Sequence, residues 1–424
     1  MDVYVVKSGD TVYQIARNYG VSSQDILTVN QLANPGQLVV GQTLLIPTSE
    51  NTYTIQPGDS FWSIAEQLGV SYRSLVAANP QLQGQTLYPG MVIQLPQDST
   101  PEIIVNAYLD PSQSGVESFN QAKSALTYLS VFSYEVNAQG ELTPPGAYES
   151  ELLGAIRQSA VAPLMAITNI VEGQFEQDVA LSIFNNQDIQ DTFISNVLSV
   201  LRQKGYQGVN LDFEFIGAEG REAYNQFLES FTQRLHAENF IVSTALAPKI
   251  SAEQTGTLYE GHDYAFHGQT VDFVVLMTYE WGWSGGPPMP VSPITQVENV
   301  IQFASSVMPQ DKIVMSIPLY GYNWTLPYQE GGEFATAVST DQAVRIALQN
   351  NVSIKYDEEE AAPYFRYTDN QGSEHIVWFE DLRTMLAMFQ LVKDYNLGGI
   401  NFWNLAFQFP AVWPLVTSEF TVQQ

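Results

Sequence analysis

The 424-residue sequence contains no cysteine, which excludes disulfides, thiol nucleophiles and thiolate metal sites. Its four histidines are scattered without an HxxxH spacing, so no metal or cofactor is expected and the chemistry falls to ordinary side chains. Positive charge is scarce: 16 Lys and Arg face 45 Asp and Glu, a formal net charge of −29. That balance repels nucleic acid and anionic membrane surfaces wherever no basic patch intervenes, and none is present, so neither is expected as a partner. No run reaches the ~20 apolar residues of a membrane span. The start, Met1-Asp2-Val3-Tyr4-Val5-Val6-Lys7, lacks the basic and apolar regions of a secretory signal. The expectation is a chain already processed, or one that reaches its place of action without the usual export route. What the sequence does hold is apolar material, 45% hydrophobic residues, enough for one large core plus small modules.

An internal repeat opens the chain. Tyr4, Gly9, Asp10, Ile15, Ala16, Gly20, Val21, Asn30, Gly41 and Pro47 recur, 49 residues on, as Tyr53, Gly58, Asp59, Ile64, Ala65, Gly69, Val70, Asn79, Gly90 and Pro96. In each copy a short strand leads through a Gly-Asp turn into a helix. The helix stripes are Val12, Ile15, Ala16 and Tyr19, and Phe61, Ile64, Ala65 and Leu68. Asp10 and Asp59 read as N-caps, Gly20 and Gly69 as helix ends, and Ser22 and Ser71 as starts of a second helix. A returning strand before Pro47 or Pro96 completes a βααβ unit. Such a unit buries little and has no catalytic pair, so its expected task is binding.

After Gln97-Asp98-Ser99-Thr100-Pro101, a linker signal, apolar strands alternate with amphipathic helices. Strands are expected at Ile103 to Leu109, Ala125 to Tyr134, Ala162 to Ile167, Gly208 to Phe215, Ile241 to Ala247, Val271 to Tyr279, Ile313 to Leu319 and Gly399 to Trp403. Eight strand–helix repeats over ~300 residues, with no Gly-rich phosphate turn, favour a (β/α)8 TIM barrel over a doubly wound sheet. The long interval between strands seven and eight implies a small α+β insertion, about 325–374, between strand seven and helix seven. The expected units are 1–48, 49–98 and 99–424.

The fourth strand, Gly208-Val209-Asn210-Leu211-Asp212-Phe213-Glu214-Phe215, carries the chemistry. Period-two alternation sends Val209, Leu211, Phe213 and Phe215 toward the helices and Asn210, Asp212 and Glu214 toward the barrel axis. Two carboxylates on adjacent inward positions are costly to bury. Their Cα atoms lie about 6.6 Å apart at ~3.3 Å per residue, close enough for one group to hold a proton near neutral pH, as a general acid requires. The competing reading is a structural cluster paired with a lysine or arginine of the barrel floor.

The N-terminal repeats resemble the lysin motif (LysM) over nearly their whole length. The resemblance implies binding of glycans containing N-acetylglucosamine, peptidoglycan or chitin, between the first strand–helix turn and the loop before the last strand. It points to Gly9, Asp10, Thr11 and Asn30, and to Gly58, Asp59, Ser60 and Asn79; the alternative is that these aspartates only cap helices and the asparagines only shape turns. The strand ending Asn210-Leu211-Asp212-Phe213-Glu214 resembles the Asp-Gly-x-Asp-x-Asp-x-Glu strand of glycoside hydrolase family 18, departing from it at Gln207 and Asn210. Met277-Thr278-Tyr279-Glu280 is similar to that family's Met-x-Tyr-Asp, and Phe402-Trp403-Asn404 to its strand-eight tryptophan.

The resemblance implies retaining, substrate-assisted cleavage through an oxazolinium ion. Glu214 is then the acid and later the base, Asp212 orients the substrate acetamide, Tyr279 donates to its oxygen, and Trp403 floors the pocket. Glu280, Asn210, Tyr322 and Trp281 are further substrate-binding candidates. The whole combination is similar to the spore cortical-fragment-lytic N-acetylglucosaminidases of endospore-forming bacteria. That implies a monomeric enzyme of the spore coat or cortex, with a cytoplasmic or cell-wall location as the alternative. A chitinase and a non-catalytic, lectin-like glycan-binding protein are the competing functions.

Overall fold

The computed structural model describes residues 1–424 except 33–35, 49–51, 69–70, 83 and 96–99. The expected helix end Gly69, Val70, Pro96 and linker residues 97–99 therefore lie outside the described residues. Both N-terminal modules are βααβ. The first runs β1 (Asp2–Val5), α1 (Val12–Tyr19), α2 (Ser23–Val29) and β2 (Thr43–Ile46). The second runs β3 (Thr52–Thr54), α3 (Phe61–Leu68), α4 (Tyr72–Ala77) and β4 (Val92–Gln94). The strands of each pair antiparallel. Val12, Ile15 and Ala16 turn inward onto Ile26, Leu44 and Ile46, as the i, i+3, i+4 stripe requires.

The caps differ from the sequence reading by one residue. Thr11, not Asp10, caps α1, accepting from Gln14 N–H at 3.2 Å, and Ser60 takes the corresponding bond from Ser63 N–H at 3.1 Å. The aspartates instead close the preceding turn. Asp10 accepts from Tyr4 Oη and Lys7 N, both at 2.7 Å, and Asp59 from Tyr53 Oη at 2.8 Å and Gln56 N at 2.7 Å. A tyrosine on the strand reaches the carboxylate first, which leaves the shorter hydroxyl of the next residue to cap the helix.

The large unit is a closed ring of eight parallel strands: β5 (Glu102–Leu109), β6 (Tyr128–Val136), β7 (Ala162–Thr168), β8 (Gly208–Asp212), β9 (Ile241–Leu246), β10 (Phe273–Leu276), β11 (Ile313–Pro318) and, after the insertion, β17 (Gly399–Trp403). Strand β17 pairs with β5 to close it. Outward residues such as Val209 and Leu211 pack on a ring of helices, among them α5 (Gly217–His236), whose Tyr224, Phe227, Leu228, Phe231 and Leu235 are fully buried. The axis carries polar side chains that satisfy one another. Asn106 donates to Asn401, Ser130 donates to Asn106, and Asn401 donates to Ser316.

Strand β11 turns directly into a five-stranded antiparallel sheet. Its strands are β12 (Tyr320–Leu326), β13 (Thr336–Ser339), β14 (Lys355–Asp357), β15 (Ala362–Thr368) and β16 (Glu374–Trp378), backed by α6 (Thr340–Gln349). The sheet thus spans 320–378, five residues earlier and four later than the bounds read from the sequence. A single residue, Leu319, separates the first insertion strand from the barrel strand before it, so no break marks the junction. Helix α7 (Leu382–Asp394) then returns to the barrel.

The first module is docked on this insertion and on the start of α7. Ile354 N–H donates to Val40 O at 2.9 Å, Arg383 to Gly41 O at 3.2 Å, and Leu382 N–H to Thr43 Oγ1 at 3.4 Å. Val39 joins Ile354, Phe365 and Phe379 in one apolar cluster, and Leu45 joins the core outside the barrel. The second module keeps a core of its own, built from Ile55, Ile64, Ala65, Leu75, Leu82 and Ile93.

Candidate active site

Strand β8 delivers the first carboxylate. Asp212, its last residue, is 5% exposed, and its Oδ1 has no hydrogen-bond partner. Phe213 faces the other way, wholly buried against Phe184, Phe193, Tyr224 and Phe227, which anchors the strand end from behind. The strand stops there. Glu214 lies two residues beyond the sheet, partly buried, and Phe215 does not turn toward the helices as alternation would have it. It adopts φ 57° and stands exposed beside Phe175, because period-two alternation lapses where the ladder ends.

No lysine, arginine or histidine forms an ion pair with Asp212 or Glu214 among the described residues, which removes the structural-cluster reading. Burial therefore acts unopposed. It pushes both carboxyls up, and at Glu214 the charge of Asp212 adds to it. A carboxyl held protonated beside a second one is the arrangement a general acid needs.

Aromatic residues gather beside the two carboxyls. Tyr279 lies three residues beyond β10, and Trp403 ends β17; their rings stack. Tyr108 and Phe132 meet Trp403 edge-on at 5.2 and 4.9 Å. Burial raises the Tyr279 phenol well above its usual range, and the nearby Tyr108, Asp212, Glu214 and Glu280 raise it further, so it stays a donor. The side chain of Asn210, a substrate-binding candidate, is engaged by its neighbours. It accepts from Tyr108 Oη at 2.7 Å and donates to Ser243 Oγ at 2.9 Å, tying β5, β8 and β9 together beneath the pocket.

Glu280, at φ 68°, accepts from Tyr320 Oη and from Tyr322 Oη, the latter at 2.9 Å, so the base of the insertion is linked to the loop after β10. Tyr322 is therefore placed through Glu280. Trp281, a further binding candidate, is partly buried and packs on the apolar layer outside the barrel.

In the modules, Gly9, Thr11, Gly58 and Ser60 lie exposed on the turns. Asn30 and Asn79 do not. Asn30 donates to Ile26 O and Leu45 O and accepts from Leu45 N–H, at 2.8, 2.7 and 2.7 Å; Asn79 makes the same three bonds to Leu75 O, Gln94 O and Gln94 N–H, at 2.8, 2.5 and 2.8 Å. Their amides bind helix to strand and are spent there, which is the turn-shaping alternative.

Sequence reasoning missed Tyr108, Asn169 and His262. Tyr108 had a signal, since it alternates inward with Asn106 at the end of the first barrel strand. The other two sit in loops and had none.

Residues 170–407 match the family described as glycosyl hydrolases family 18, and residues 4–47 and 53–96 each match the LysM domain. The chain is 46% identical to the cortical fragment-lytic enzyme of Bacillus subtilis (strain 168), over 100% of this chain and 99% of that one. It is 42% identical to the enzyme of the same name from Bacillus anthracis, with the same coverage. Among solved structures it resembles the Bacillus megaterium QM B1551 spore cortex-lytic enzyme SleL, with TM-score 0.89, 39% identity and coverage of 99% and 98%. A chitinase from Chromobacterium violaceum shares the fold at TM-score 0.69 and 21% identity, covering 75% of this chain and 98% of that one. With its acid pair at the mouth of the barrel and two LysM domains ahead of it, the chain belongs to the glycosyl hydrolases of family 18.

Proposed function

We propose that this glycoside hydrolase cleaves β-1,4 bonds following N-acetylglucosamine in the peptidoglycan of the spore cortex or its fragments. The observation that carries the reading is the pair of buried Asp212 and half-buried Glu214, free of any ion pair among the described residues and close to Tyr279, which stacks on Trp403. Likeness over whole chains to enzymes named for cortical fragments supports the substrate.

In this mechanism Glu214 protonates the glycosidic oxygen while the acetamide oxygen of the bound sugar attacks its own anomeric carbon. The nucleophile is intramolecular, so no protein side chain supplies it. Asp212 Oδ1, buried and unpartnered, accepts from the acetamide N–H and polarises it. Tyr279 donates to the acetamide oxygen and so selects the attacking geometry. Trp403 lies under the apolar face of the ring. Glu214, now a carboxylate, draws a proton from the water that opens the oxazolinium ion, and configuration is retained. Asn210 acts from beneath, through Tyr108 and Ser243, and Glu280 with Tyr322 lines the side toward the insertion. Units 1–48 and 49–98 hold glycan through the turns Gly9-Asp10-Thr11 and Gly58-Asp59-Ser60, while 99–424, acting as a monomer at the spore coat or cortex, does the cutting.

The test is mass spectrometry of products from the protein and Glu214→Gln, each given spore-cortex fragments and chitin oligomers. New N-acetylglucosamine reducing ends from cortex, absent with the variant, are expected. Cleavage of chitin alone would reassign the substrate, and turnover unchanged in Glu214→Gln would end the mechanism.

A further inference from the structure

The tip of β8 departs from both neighbouring strands, and two side chains occupy the places of the missing rungs. On the β9 side, Ile241 N–H donates to Gln207 O at 3.1 Å. Continuing that register by six residues on each strand would pair Ala247 N–H with Phe213 O. Instead the imidazole of His262 lies between them. Its Nδ1 accepts from Ala247 N–H at 2.9 Å and its Nε2 faces Phe213 O at 2.9 Å. A ring nitrogen that accepts at Nδ1 carries its proton on Nε2, so the second contact is a donated bond. Burial holds His262 down to about 4, which keeps this neutral tautomer throughout the working range. Lys249, 2% exposed, fixes the ring's own backbone by donating to His262 O at 3.0 Å.

On the β7 side the pairing stops at Thr168 with Asp212. The next residue, Asn169, serves Glu214 with its side-chain amide as a peptide would. It accepts from Glu214 N–H and donates to Glu214 O, both at 3.0 Å, with a further bond to Glu176 O at 3.0 Å. Asn169 and His262 are both fully buried. The acid's main chain is thus gripped from both sides at a place where the sheet itself has let go.

We propose that Asn169 and His262 are positioning residues for catalysis, which hold the peptide around Glu214 displaced from the sheet and so fix where its carboxyl meets the glycosidic oxygen. The proposal rests on the assignment of Glu214 as the acid. Neither residue touches substrate. Their action is on geometry, to which an in-line proton transfer is sensitive at the 1 Å level.

The experiment compares kcat, KM and pH–rate profiles of the protein, Glu214→Gln, Asn169→Ala, Asn169→Asp, His262→Ala and His262→Gln on soluble cortical fragments, with melting curves alongside. The alanine variants are expected to lose about a hundredfold in kcat with KM within about threefold. The alkaline limb should also move to lower pH, as Glu214 drifts from Asp212, Tyr108 and Tyr279 toward water. His262→Gln, which offers one acceptor and one donor, should recover at least about tenfold of the loss in His262→Ala. Folded alanine variants with undiminished kcat would overturn the proposal, as would losses that merely follow the folded fraction. Should either alanine variant fail to fold, Asn169→Asp and His262→Gln decide: Asp keeps only the bond from Glu214 N–H, and an unchanged kcat there overturns the idea. Glu214→Gln separates this from the mechanism, since its undiminished turnover would remove the acid itself.

Discussion

The phenol of Tyr279 lies almost parallel to the indole of Trp403, with ring centroids 6.4 Å apart and planes 14° from coplanar. Because Tyr108 and Phe132 brace that indole from its edges, the phenol has a fixed platform and its hydroxyl a fixed direction. Tyr279→Phe keeps the stack and removes only the donor. It is expected to lower kcat by about 10²- to 10³-fold, the usual loss for one donor to a developing charge, with little change in melting temperature. Steady-state kinetics on cortex fragments, with calorimetry, checks both halves.

The pH dependence follows from the acid pair. As the proposed acid Glu214 must be protonated to act, and burial plus the Asp212 charge raise it well above the usual glutamate range. Activity is therefore expected to fall on the alkaline side at a pH above that of an ordinary glutamate. Asp212→Asn removes the second cause and leaves the first, so the alkaline limb of its residual activity should move down in pH. Profiles of kcat/KM for the two proteins decide it, and coincident limbs would show that the charges do not couple.

Glu380 carries a stability prediction remote from the cleft. Its carboxyl is 1% exposed with one oxygen unpartnered, and burial, then the adjacent Asp381, raise it well above the normal range. The folded state keeps a proton there that the unfolded chain releases, so this group's contribution is complete below the ordinary glutamate range and is lost as pH rises through the folded value. Glu380→Gln has no such proton to lose. Its melting temperature should gain on that of the parent protein as pH is raised from about 4 to about 8, and a constant difference would refute this.

Gly41 and Gly90 occupy the same place in the two modules, at φ 88° and 89°. Alanine at either meets the backbone cost of about 1–2 kcal/mol for an L-residue at positive φ. Only at Gly41 would the new Cβ also fall 2.0 Å from Ile354 O; around Gly90 nothing lies within 4 Å. Gly41→Ala should therefore lower the melting temperature of the catalytic unit more than Gly90→Ala, which should affect the second module alone. Urea unfolding followed by tryptophan fluorescence and by activity separates the two.

The sequence was most legible where function imposes a spacing. Asp212 and Glu214, two apart on an apolar strand, announce themselves because burying both is otherwise costly. Trp403 was readable as the end of a barrel strand and Tyr279 through the resemblance of Met277-Thr278-Tyr279-Glu280 to the family's Met-x-Tyr-Asp, although its strand stops three residues earlier. Illegible were side chains whose partners are backbone atoms distant in sequence. Asn30 and Asn79 look like surface turn residues until Leu45 and Gln94 are seen to meet them. His262 gives no hint that Phe213 O and Ala247 N–H wait for its two nitrogens. Phe215 misled because alternation presumes a ladder, and the ladder ends three residues earlier.

The second module, whose core is its own, is joined to the docked module on one side and to the barrel on the other. Its entry lies six residues from Ile46 of the docked module and its exit eight residues before Glu102 of the barrel, from Gln94. Fully extended, such segments reach at most about 20 and 28 Å at ~3.5 Å per residue. A glycan strand taken up by this module stays within a small search volume around the same barrel, at an effective concentration of order mM. On the function proposed above, capture of a strand by the second module is expected to be a local event that keeps the cut ends near the same barrel.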